Sequence, residues 1–93
     1  MGWRSYAGKY FIEICCVRDA YCVGLPALLI AGHRIVIGDH SYTIGREAGR
    51  GEYITHDRAD RSTGCVIHVR NAGVVTRTID RPGKSIRVNR KVR

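Results

Sequence analysis

The chain has little proline, and only one tryptophan, one methionine and one phenylalanine in 93 residues. Two prolines exclude a polyproline linker or a collagen-like repeat. No apolar run approaches the roughly 20 residues of a membrane-spanning helix. The longest, VGLPALLIAG at 23–32, is interrupted by Pro26. The opening stretch, MGWRSYAGKY, has no apolar core of signal-peptide length, and Tyr6 stands where a myristoylation pattern wants Ser or Thr. These features predict a cytoplasmic protein with its four cysteines reduced and no membrane association. No internal repeat or low-complexity tract is present, so solenoid and disordered classes are set aside. Negative charge is scarce: eight acidic residues face sixteen Lys and Arg, for a net charge of +8. That balance favours an anionic partner, either an acidic or phosphorylated protein or a nucleic acid.

What is abundant is glycine, with eleven in the chain, together with short β-branched runs. Residues 9–17 (KYFIEICCV) alternate Tyr10, Ile12, Ile14 and Cys16 on one face with Phe11, Glu13, Cys15 and Val17 on the other. Glu13 alone is plainly polar, so this strand is expected to be covered on both sides. LPALLIAG fits either a helical turn or a strand. HRIVIGDHSYTIG reads as a hairpin about Gly38-Asp39, and its second strand is expected to stop at Gly45. REAGRGE and HDRADRSTG read as loops. CVIHVR-NAG-VVTRTI is a second hairpin with a three-residue turn, Asn71-Ala72-Gly73, and Gly73 in its left-handed position. DRPGKS is a turn and IRVNRKV a last strand. Short strands separated by regular turn signals predict a single all-β domain over 1–93: a small antiparallel β-sandwich or a partly open barrel built from hairpins. Open edges in so short a chain also predict a homodimer.

Metal chemistry has weak support. Cys65 and His68, three apart on a strand, point to opposite faces, and no second Cys-x-x-Cys supplies a tetrahedral set. The cysteines read as small core residues, and no metal or cofactor is expected. PGKS has the ending of a phosphate-binding loop, but Thr78 stands where that motif needs glycine. Glu52 and His56, close to many arginines, could run acid–base cleavage of RNA as a small toxin-like enzyme, although their spacing is not diagnostic. Arg46, Arg61 and Lys84 fall in expected loops, where a scaffold can aim them at an anion. Arg87, Arg90, Lys91 and Arg93 on the last strand could instead track a nucleic-acid backbone. Tyr53, the one aromatic of the second half, gives little support for base stacking.

The stretch YTIGR (42–46) resembles an early strand of forkhead-associated domains, which ends in Ile-Gly-Arg. ITHDRADRSTGCVIHV is similar to that family's Ser-x-x-His segment, with Ser62 at the serine and Cys65 where histidine is usual. VVTRTIDRPGKSIRVNRKV resembles its Asp turn and Val-Asn strand through Asp80, Val88 and Asn89. The resemblance implies a non-catalytic interaction module. Gly45 would let the backbone turn, and Arg46 and Ser62 would grip a phosphothreonine oxygen, with Arg61 and Lys84 nearby. PGKS replaces the family's Asn-Gly-Thr turn, which implies a degenerate member that binds protein partners without requiring phosphate.

Overall fold

The computed structural model describes residues 9–18, 20–61, 64–71 and 73–88. All the regular structure there is β-strand, in eight segments. Strands β1 (Lys9–Cys16), β2 (Tyr21–Leu28), β6 (Cys65–Asn71) and β7 (Val74–Asp80) form one antiparallel sheet in the order β2-β1-β6-β7. Strands β3 (Arg34–Ile37), β4 (His40–Glu47), β5 (Gly51–Ala59) and β8 (Ser85–Arg87) form the other, in the order β3-β4-β5-β8. Neither sheet closes on itself, so the expected sandwich is found and the barrel is not.

Period-two alternation decides which side chains enter the core. From the first sheet come Tyr10, Ile12, Ile14 and Cys16 of β1 and Cys65, Ile67 and Val69 of β6, all buried. From the second come Ile37, Tyr42, Ile44 and Ile54. Burying each large aliphatic side chain stabilises the fold by about 1.5–3 kcal/mol. The turn residues behave as their chemistry requires. Gly38, with φ of 62°, and Gly73, with φ of 86°, hold left-handed conformations in two-residue connections between paired strands; the second is one residue shorter than expected, because Asn71 belongs to β6 and pairs with Val74.

Several expectations are corrected. β1 is covered on one side only: Phe11 is exposed, and Glu13 and Cys15 are half-buried. Of the two readings of LPALLIAG the strand is found, because Leu25–Leu28 continue β2. Pro26 is tolerated there because β2 is an edge strand. β4 does not stop at Gly45 but runs on to Glu47. The expected loops on either side of Tyr53 are shortened, since β4 reaches Glu47 and β5 spans Gly51–Ala59. The cysteines are not reduced thiols. Cys15 is joined to Cys22 across β1 and β2, and Cys16 to Cys65 across β1 and β6. Register explains both links, since each pair sits directly opposite in its ladder. No helix among the described residues is long and apolar enough to cross a membrane.

Candidate functional site

The expected anion-gripping residues do not converge as a set. Arg46 lies at the far end of β4, paired in register with Glu52. Arg61 follows β5 at the other end of the same hairpin, where its backbone N–H donates to Asp39 Oδ2 at 2.7 Å. Asp39 directly precedes His40, at the start of β4. Six residue steps along β4 lead from His40 to Arg46, roughly 20 Å, so Arg46 and Arg61 cannot hold one phosphate between them. Lys84 is half-buried beside Ser85, and its carbonyl accepts the His56 N–H at 2.9 Å. Ser62, Arg90, Lys91 and Arg93 lie outside the described residues.

The structure does unite Arg46 with a residue from the nucleic-acid set, Arg87. Pairing of β5 with β8 sets Tyr53 opposite Arg87, and pairing of β4 with β5 sets Gly45 opposite Tyr53. Arg46, Glu47, Tyr53, Ser85 and Arg87 line one open pocket of about 430 Å³. The Arg87 guanidinium stands 5.6 Å from the centre of the Tyr53 ring, within cation–π range. Beside it, Ser85 Oγ and Thr55 Oγ1 share a hydrogen bond of 2.7 Å.

The two guanidiniums are held differently. Arg46 forms an ion pair with Glu52. Glu52 is 6% exposed and is also reached by the Tyr10 hydroxyl at 3.4 Å. It faces the core because alternation along β5 turns positions 52, 54 and 56 inward. A buried carboxylate that loses its partner is costly, so Glu52 anchors Arg46. Arg46 is itself mostly exposed, and its remaining N–H groups are free to face solvent. Arg87 instead donates to Glu47 Oε1 at 2.7 Å, and both of those groups are exposed. An exposed pair is worth about 0–1 kcal/mol, so Glu47 holds Arg87 only weakly.

The RNA-cleaving arrangement is not assembled. Glu52 and His56 are both buried, two inward positions apart on β5 with Ile54 between them. Neither faces the Arg46 pocket as a free acid or base.

Sequence reasoning missed Glu52 as an anchor and Tyr53 as the pocket floor. The only available signal was the alternation of Glu52, Ile54 and His56, which marks one strand face. A further polar cluster lies inside the sandwich. The Asp80 carboxylate accepts the Tyr42 hydroxyl at 2.8 Å and lies 3.1 Å from a ring nitrogen of both His40 and His56. Burial, followed by the charge of Asp80, pushes the Tyr42 phenol well above its usual pKa range. Comparison with protein-family models, curated proteins and solved structures finds no match to this chain.

Proposed function

We propose that this chain is a non-catalytic protein-interaction module that receives an anionic group of a peptide, a phosphothreonine or an acidic side chain, in the Arg46–Tyr53–Arg87 pocket. The observation that carries this reading is the convergence of two arginines, one serine and one tyrosine around one open cavity, with Glu47 as the only acidic residue among its lining. Guanidiniums bind carboxylate and phosphate through paired, charge-assisted hydrogen bonds. Arg46 is pre-set by the buried Glu52, and Arg87 is released by opening an exposed pair. The net charge of +8 draws such partners in. The two disulfides favour an oxidising compartment over the cytoplasm as the place of action.

Fluorescence anisotropy with a phosphothreonine peptide pool, a glutamate-rich pool and a neutral pool tests this reading. Binding to one of the anionic pools is expected. Arg46→Ala and Arg87→Ala should each weaken it about ten- to a hundredfold, the loss of one or two charge-assisted hydrogen bonds. Arg61→Ala, at the remote end of the hairpin, should leave it unchanged. Absence of binding to both anionic pools at low salt defeats the proposal. So does tight, steeply salt-dependent binding of a single-stranded RNA that Arg46→Ala and Arg87→Ala do not affect.

A further inference from the structure

The polar cluster inside the sandwich is separate from the Arg46 pocket and has chemistry of its own. His40 on β4, His56 on β5 and Asp80 at the end of β7 come from both sheets and are all buried. We propose that His40 Nδ1, His56 Nδ1 and the Asp80 carboxylate bind one divalent metal ion of the zinc class, which ties the two sheets together.

The argument begins with the His56 tautomer. His56 Nε2 lies 3.0 Å from the Arg58 carbonyl oxygen. A carbonyl only accepts, so Nε2 carries the hydrogen. In the neutral ring Nδ1 is then a bare lone pair, and it faces Asp80 Oδ1 at 3.1 Å. Two acceptors at that distance in a dry interior repel each other unless a cation lies between them. The same pattern recurs on the other side of the carboxylate. His40 Nδ1 stands 3.1 Å from Asp80 Oδ2, while its Nε2 lies 3.4 Å from Asp39 Oδ1. The 3.1 Å separations are those of ion pairs, yet neither Nδ1 has a hydrogen-bond partner and both are fully buried. The direction of these contacts therefore does not fit a simple His–Asp hydrogen bond.

Features of a histidine–carboxylate metal site are present. A metal-bound imidazole usually sends its other ring N–H to a carbonyl or carboxylate; His56 has the Arg58 carbonyl, whereas His40 Nε2 lies 3.4 Å from Asp39 and 3.8 Å from the sulfurs of Cys16 and Cys65. One donor atom from each of His40, His56 and Asp80 falls within 4.8 Å of the other two. A tetrahedral ion with bonds of about 2.0–2.1 Å spaces its donors about 3.3 Å apart and sets two bound imidazole centres about 5 Å apart. The observed nitrogen–oxygen separations are 3.1 Å, and the His40 and His56 centroids are 5.1 Å apart. Because each histidine faces a different Asp80 oxygen, the carboxylate can present both oxygens, whose short fixed bite makes the N₂O₂ set a distorted tetrahedron. Borderline nitrogen and carboxylate donors suit zinc rather than calcium or magnesium. A structural ion is also a recurrent aid to domains too short for a large core.

A β-bulge helps to build the site. The register of β4 against β5 shifts between Ser41 and Tyr42, which leaves Asp57 unpaired between His56 and Arg58. That irregularity sits beside the cluster, where bulges commonly re-aim side chains. It also brings the Arg58 carbonyl back onto the ring of His56.

The test uses the full chain with its disulfides intact, stripped by a chelator and then titrated with Zn²⁺ and separately with Co²⁺. One equivalent of either ion should bind. Cobalt should show the visible bands of a tetrahedral site without sulfur-to-metal charge transfer. Zinc at about a hundredfold over its Kd should raise Tm by at least about 5 °C. Nitrogen NMR should report metal at Nδ1 of two histidines with Nε2–H retained. His56→Gln should weaken zinc binding at least about tenfold; if that variant fails to fold, the NMR signature of the wild-type protein decides. The proposal is overturned by an unchanged Tm with no cobalt bands. A charge-transfer band is equally fatal, because it would mean that the Cys16–Cys65 bond is open and that its thiolates hold the ion together with His40 Nε2, whose atoms also lie close together. Metal at Nε2 instead of Nδ1 has the same consequence.

Discussion

Tyr53 lies directly over Gly45, so close that a Cβ at position 45 would stand 2.3 Å from the ring's Cζ. The two residues face each other across β4 and β5, and Gly45 is not among the residues with positive φ. The glycine is therefore present for space, not for a turn. Gly45→Ala should push the Tyr53 ring off the strand and away from Arg87. The expected cost is about 1–3 kcal/mol, the range for forcing extra volume into packed surroundings. Urea unfolding measures it. Peptide affinity should fall in parallel, because the pocket loses its floor. A variant as stable as wild type would show that Tyr53 does not need this seat.

The four cysteines give a ranked prediction. Ellman titration of the denatured, unreduced protein should find no free thiol, since both pairs are closed. The Cys16–Cys65 bond links residues 49 apart in sequence and the Cys15–Cys22 bond residues 7 apart. Loop-closure entropy assigns the long link about 4 kcal/mol and the short one about 2.5 kcal/mol. The double change Cys16→Ser with Cys65→Ser should therefore lower the urea midpoint further than Cys15→Ser with Cys22→Ser. The site supports the same order. Cys16 and Cys65 are buried against His40, with both sulfurs 3.8 Å from its Nε2. Cys22 is exposed, and Cys15 and Cys22 border an open surface depression with Val17 and Tyr21. Equal losses would contradict the chain-entropy account.

How much of this could be read from the sequence follows from the range of the forces involved. The alternation in Ile12–Ile14–Cys16 and Cys65–Ile67–Val69 is local, so the strands and their buried faces were legible. The turns at Gly38 and Gly73 were legible for the same reason. Strand partners were not. Nothing near residue 14 says that it pairs with Ile67, and that pairing is what brings Cys16 to Cys65. Arg46 and Arg87 read as members of two rival surfaces because their meeting depends on β8 lying against β5. The Gly-Arg step in YTIGR looked like a strand end because glycine commonly marks one; the ring that requires it lies across the ladder, eight residues further on. Asp80 read as a turn residue, yet it is buried at the end of β7 and organises three side chains from the opposite sheet. The expected sandwich was thus legible, while the parts of each site that depend on pairing between distant strands were not.

Tyr42 provides the pH prediction. Its hydroxyl donates to the buried Asp80 at 2.8 Å, and burial holds the phenol protonated well above its ordinary range. Removing the hydroxyl leaves a buried carboxylate with one donor fewer. Tyr42→Phe should therefore cost about 1.5–3 kcal/mol near neutral pH, the range for hydrogen bonds to charged groups. The pH dependence has a definite sign. In the unfolded chain Tyr42 ionises near its model value of 10.0, whereas in the fold it does not. The unfolded state thus loses a proton that the native state keeps, and stability falls as pH rises above about 10. Below that value both states are protonated and the contribution is complete. Chemical denaturation at several pH values from 7 to 11 should show the wild type losing stability faster than Tyr42→Phe above about pH 10. The two curves should converge there and run parallel below. Parallel curves throughout would mean that the phenol ionises as readily in the fold as in the open chain, which its place beside Asp80 forbids.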